Sequence, residues 1–231
     1  MLKSIKQQAQ LLSAGLPRKF AIALARTVEG QDLSTLDSLL DRIFEGTSAD
    51  AVWLTWLLAR LGEVSRRRIV WYLMRVVAAD LDNAVTAEAI RGLATLSSDE
   101  ALPEFQRRLE DKGASDDVRL ACAYAIGHSK SDRGLPALIR VLRDREEHDA
   151  LRGMAAEAIG LLGSGSSVAT QTLIETLDDA SNEVAYWIAY ALAVSDAQQA
   201  VPVLRRAYER FSETWVRDEI KESLSILSGK S

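Results

Sequence analysis

The chain has 231 residues, 48% apolar and 26% charged, with a formal net charge of −5, four prolines, 13 glycines and one cysteine. That composition excludes a largely disordered chain, and the lone Cys122 excludes an internal disulfide framework, a cysteine-rich zinc site and a CxxC redox pair. Few prolines and glycines disfavour a turn-rich β-sandwich, the net acidity disfavours a generic DNA binder, and no apolar run reaches the roughly 18 residues of a membrane span. The opening decapeptide, Met1 to Gln10, carries two lysines with no following apolar stretch suited to secretion. The expected setting is soluble and cytoplasmic.

In chain order, helices are predicted near 2–14, 18–29 and 33–45, broken at Gly15, Gly30 and Gly46. They form an expected N-terminal helical cap, 1–46. Beyond it the chain repeats. The apolar-apolar-small step centres on Leu93, Ile126, Ile159, Leu192 and Leu224, at spacings of 33, 33, 33 and 32, with a looser copy at Leu58. A second anchor keeps that period at Val85, Val118, Leu151, Val184 and Val216, and a third at Leu102-Pro103, Leu135-Pro136 and Val201-Pro202. One copy carries Thr170-Gln171 there instead, after about two extra residues in Gly163–Ser167.

Each unit reads as two helices. Asp117–Gly127 has helical apolar spacing and a terminal glycine. Leu135–Arg143 opens on a proline, which suits a first turn where the missing N–H costs nothing. Ser115, Asp116, Ser181 and Asn182 are candidate N-caps. A helix pair alone cannot bury its apolar face, whereas stacked pairs share one core. The fold class is therefore all-α, a right-handed α-α superhelix of antiparallel pairs repeating about every 33 residues. Residues 47–231 make the repeats, ending in a capping helix near 213–227, and form one continuous domain with the cap.

The phrase Val-Arg-x-x-Ala-x-x-Ala-Ile-Gly followed by Leu-Pro-x-Leu-x-x-x-Leu resembles HEAT repeats, and within them the short repeats of phycobilisome lyases. The resemblance is best over 118–142, then 151–177, then 184–206 and 85–109. It implies a fold more than an activity. Deoxyhypusine hydroxylase is similar in architecture, and that resemblance implies His-Glu iron ligands just before the repeated phrase. Those positions read Leu120-Ala121, Gly153-Met154 and Trp187-Ile188 here, and none is a metal ligand. His128 and His148 fall in turns, Cys122 lies on an apolar helix face, and Gly163–Ser167 reads as a loop rather than a phosphate cradle. No metal, cofactor or catalytic residue is expected.

Two stretches stand out. Ser65–Val77 has four arginines and no acid. Ile69, Val70, Leu73, Val76 and Val77 make its apolar stripe, with Arg66, Arg67 and Arg75 off it. Other second helices carry Arg107 and Arg108, Arg140 and Arg143, and Arg205 and Arg206, with Glu175 in the equivalent place of the fourth unit. Second helices of HEAT pairs line a concave face, so the resemblance implies a basic ladder there. The alternative is ordinary solvation with pairing to Glu104, Glu110 and Asp144. The second stretch, Glu183–Val194, has no charge after Glu183. Burial is its default, and an exposed patch of Tyr186, Trp187 and Tyr190 is the alternative. Trp53, Trp56 and Trp215 read as core or cap.

The function expected on this basis is a non-enzymatic protein-interaction module: an adaptor, assembly factor or immunity-type inhibitor. Its protein-binding residues would be Arg66, Arg67, Trp71, Tyr72, Arg75, Arg107, Arg140 and Arg206, facing another protein with an acidic surface. The alternatives are a phycobilisome-lyase-like enzyme or subunit handling a bilin, and nucleic-acid binding through the ladder, which the net acidity disfavours.

Overall fold

A computed structural model describes residues 41–45, 48–60, 62–96, 99–129, 131–178 and 180–229. The expected cap falls outside them except for a helical stretch at 41–45. All regular structure among the described residues is helical. The chain forms two compact units, Met1–Leu96 and Ser97–Ser231.

In the first unit, α1 (Ser48–Arg60), α2 (Gly62–Ala79) and α3 (Asn83–Thr95) pack pairwise. The stripe read from the sequence is their core: Ile69, Leu73 and Val76 are wholly buried, with Leu58, Ile90 and Leu93. Gly92 lets α3 lie against α1, since a Cβ there would stand 2.7 Å from that of Ala59. Asp82 caps α3 by accepting a 2.9 Å hydrogen bond from the Ala84 amide.

The second unit comprises α4 (Leu102–Glu110), α5 (Asp116–Gly127), α6 (Leu135–Arg143), α7 (Asp149–Leu162), α8 (Ser167–Leu177), α9 (Asn182–Val194), α10 (Val201–Arg210) and α11 (Thr214–Leu227). One layer stacks α5, α7, α9 and α11, and the other runs α4, α6, α8. Each second helix also packs on the following first helix: α4 on α5, α6 on α7, α8 on α9 and α10 on α11. Pro103, Pro136 and Pro202 sit in first turns, each preceded by a 3₁₀ turn. Ser115 and Ser181 are N-caps, whereas Asp116 and Asn182 are already helical.

The repeated phrase has a steric cause. A Cβ on Gly127 would stand 2.8 Å from the Ala158 Cα, and one on Gly160 2.6 Å from the Ala191 Cα. Backbone thus meets backbone along the first-helix layer, while Ile126, Ile159 and Leu192 fill the space beside it and are wholly buried. Val118, Leu151, Val184 and Val216 are buried likewise, and Leu224 is half-buried.

The arginine after two of those anchors ties neighbouring units together. Arg119 Nε donates to the Leu109 carbonyl at 3.0 Å, and Arg152 Nε to the Leu142 carbonyl at 3.1 Å. Both carbonyls belong to the last turn of the preceding second helix, where the helix itself supplies no donor. Arg119 goes further and grips Glu147 in a buried two-pronged ion pair, with Nη1 2.7 Å from Oε2.

Candidate functional site

The structure places Arg66, Arg67 and Arg75 on the exposed side of α2, off the apolar stripe. Tyr72 is not with them: at 1% exposure it belongs to the core. Trp71 is 53% exposed, but the Arg75 guanidinium lies 5.0 Å from its ring centroid and also faces Phe44. Arg66 donates to the Leu96 carbonyl through Nε at 2.8 Å and Nη2 at 2.6 Å.

In the second unit the ladder is largely spent on the fold. Arg107 and Arg108 both hold Glu104 at 2.7 Å, one turn back on α4, and Arg108 is buried. The Arg107 guanidinium, with Arg108 beside it, keeps the Glu104 carboxyl below its ordinary pKa. Arg140 pairs with Glu110 of α4, and Arg143 with Glu175 of α8 at 2.9 Å. Lys112 meets Asp144 at 2.8 Å, which lowers the Asp144 pKa and raises that of Lys112. The arginines thus stitch adjacent units. Glu175, which looked like a gap in the ladder, is the partner of one rung. Arg205 and Arg206 are exposed and have no ion pair among the described residues.

The aromatic stretch on α9 is half-buried rather than enclosed. The Trp187 indole lies over Gly153 of α7, where a Cβ would stand 2.4 Å from its ring. Trp187 meets Tyr186 edge-on at 5.2 Å and Tyr190 at 6.0 Å between centroids. Trp215, on the C-terminal helix α11, leans on Tyr186 at 5.6 Å and is 47% exposed, so it is not core. Tyr186 lies beside the Glu219 carboxylate, which accepts a hydrogen bond from Ser223 Oγ at 3.1 Å. Burial raises the pKa of Glu219, and burial together with that carboxylate raises the pKa of Tyr186. Sequence reasoning missed Trp215 and Glu219 because they come from the next first helix. A signal existed: Trp215 stands one place before the Val216 anchor and so shares the layer of α9.

The remaining polar candidates serve the fold. His148 Nδ1 accepts from the Leu151 amide at 3.2 Å, capping α7, and its Nε2 lies 3.1 Å from Asp116. His128 stacks on Tyr124 at 4.1 Å and its Nδ1 lies 3.0 Å from the Tyr124 carbonyl. Burial pushes the Cys122 thiol up to about 12, so it carries no thiolate near neutrality. Among the described residues no group of three His, Cys, Asp or Glu side chains is placed to hold a metal ion, and no helix is long and apolar enough to cross a membrane.

The family model for HEAT repeats matches residues 72–160 and 111–193. No curated protein matches the chain. A solved structure similar to it is human deoxyhypusine hydroxylase in complex with glycerol, 18% identical over 98% of this chain and 87% of that chain, with a TM-score of 0.40. That protein is a hydroxylase, and none of these comparisons supports the expectation of a non-enzymatic protein-interaction module. The structural basis of that expectation falls as well, because Arg66, Arg75, Arg107 and Arg140 already have partners within the chain. From the matched residues and the layered helix pairs, the chain belongs to the HEAT-repeat family.

Proposed function

We propose that the chain is a helical-repeat scaffold that binds an organic cation, an alkylated ammonium group, on the aromatic face of α9 and α11. One observation carries this reading. Trp71, Tyr208 and Phe211 each have an arginine of this chain over the ring, Arg75 at 5.0 Å, Arg217 at 4.3 Å and Arg210 at 4.2 Å. The cluster of Tyr186, Trp187, Tyr190 and Trp215 has no such cation among the described residues, yet it is the largest group of rings. Its neighbours are Glu219 and Glu222, so the charge beside it is negative. Tryptophan faces attract cations best, by about 0.5–1 kcal/mol when exposed and about 2 when desolvated. Two indoles and a carboxylate together favour a cation that sheds water easily, which an alkylated ammonium does.

The test is a titration with butyltrimethylammonium followed by the indole N–H resonances. Shifts should concentrate on Trp187 and Trp215, and Trp215→Ala should weaken binding at least fivefold. The neutral isostere, in which carbon replaces the quaternary nitrogen, should bind more weakly by a similar factor. Equal binding of the neutral compound, or shifts spread over all indoles, would refute the proposal.

A further inference from the structure

A second site lies between α10 and α11, and it rests on different residues. Arg205, Arg206, Tyr208, Glu209 and Leu224 line a cleft of about 380 Å³. That size falls within the range of pockets that take small organic molecules. Leu224 is half-buried and Tyr208 presents its ring, so the cleft has apolar wall as well as charge. Arg217 of α11 stacks on Tyr208 at 4.3 Å, which places a further guanidinium beside the cleft.

The two lining arginines differ from the rest of the ladder for a reason visible in register. Arg107 and Arg108 are held by Glu104, one turn earlier on their own helix. The corresponding turn of α10 is Val201-Pro202-Val203, which has no acid. Arg140 is held by Glu110, 30 residues earlier at the end of the preceding second helix. Thirty residues before Arg206 stands Thr176, at the end of α8, with no charge. Both devices are therefore missing for Arg206, and Glu175, thirty residues before Arg205, is held by Arg143 instead. Glu209, four residues after Arg205, forms no ion pair among the described residues, so the cleft keeps an excess of positive charge.

We infer that this cleft binds an amphipathic organic anion, with its carboxylate or phosphate between Arg205 and Arg206 and its apolar body against Leu224 and Tyr208. Guanidinium forks suit both head groups, since each can accept two parallel hydrogen bonds. The apolar wall sets the preference for a molecule with a tail over a bare ion.

The experiment uses the full chain and four probes: octanoate, octyl phosphate, octanol and inorganic phosphate, followed by calorimetry and by the backbone amides of α10 and α11. The two amphipathic anions should bind at least tenfold more tightly than either octanol or inorganic phosphate, and their ratio identifies the preferred head group. Arg205→Ala with Arg206→Ala should weaken both anions at least tenfold while the helical circular dichroism stays unchanged. Arg67→Ala, which removes an exposed arginine from the other unit, should change nothing. Equal affinity for octanol, equal affinity for bare phosphate, or an equal loss on Arg67→Ala would each overturn the site.

Discussion

Glu147→Gln tests how neighbouring repeats are held together. Glu147 and Arg119 are 7% and 5% exposed at their side chains, and the pair is two-pronged, with a third bond from Arg119 Nε to the Leu109 carbonyl. The amide keeps the shape of the carboxylate and one acceptor oxygen but leaves a buried guanidinium without a counter-charge. Breaking one side of such a pair costs about 3–5 kcal/mol. The retained acceptor places this case near 3, a fall of roughly 6–12 °C in the melting midpoint for a chain of this size. Arg119→Met combined with Glu147→Gln should cost less than the two single changes added, because no stranded charge remains. The next unit supplies an internal control. Arg152 has the same bond to a helix-end carbonyl, but its acid, Asp149, is 3.8 Å away and 42% exposed. Arg152 is as buried as Arg119 but already lacks a close counter-charge, so Asp149→Asn should cost well below Glu147→Gln, under about 1 kcal/mol. The assay is urea unfolding at pH 7 with a thermal scan, for wild type, singles and double. A loss below about 1 kcal/mol for Glu147→Gln, or strict additivity, would refute the account.

Three further outcomes are expected. Gly160→Ala should destabilise by about 1–3 kcal/mol despite alanine's better helix propensity, because its Cβ would meet the Ala191 backbone, which cannot rotate away. Cys122 should resist Ellman's reagent in the native chain and react fully in denaturant, since its thiol is fully buried. Glu219 has its pKa raised by folding, so the native state keeps its proton to a higher pH than the unfolded chain does; its contribution falls as pH rises out of the ordinary carboxylate range. Glu219→Gln should therefore flatten the fall in stability as pH rises above the ordinary carboxylate range, whereas Glu104→Gln, removing a lowered pKa, should remove stability that is lost as pH falls below that range. A melting-midpoint series that runs upward from the ordinary carboxylate range for Glu219→Gln and downward from it for Glu104→Gln checks both signs.

The fold was legible because one steric event recurs. The glycine that permits the α5–α7 contact is the glycine that permits the α7–α9 contact, so a period in the chain reports a period in space. The candidate sites were less legible, for two reasons. Charge pairing between units joins residues about 30 apart, and no local window shows that Glu110 consumes Arg140 or Glu175 consumes Arg143. Helical phase also separates adjacent residues, so Trp71 is exposed while Tyr72 beside it is core. The α9 aromatics could be read as a patch, but their completion by Trp215 and Glu219 required knowing that α11 lies alongside α9.

The bonds from Arg119 and Arg152 run in one direction, each reaching back ten residues to finish a helix already made. A chain emerging from the ribosome meets them in that order. The Leu109 carbonyl gains this donor only once Arg119 has emerged, and the Leu142 carbonyl only once Arg152 has. The end of α8 is closed differently, by Arg210 of α10, whose Nη2 donates to the Leu177 carbonyl at 2.6 Å, so the seal by the next helix belongs to α4 and α6, and a nascent chain halted between Arg119 and Arg152 would have the donor for α4 but not for α6.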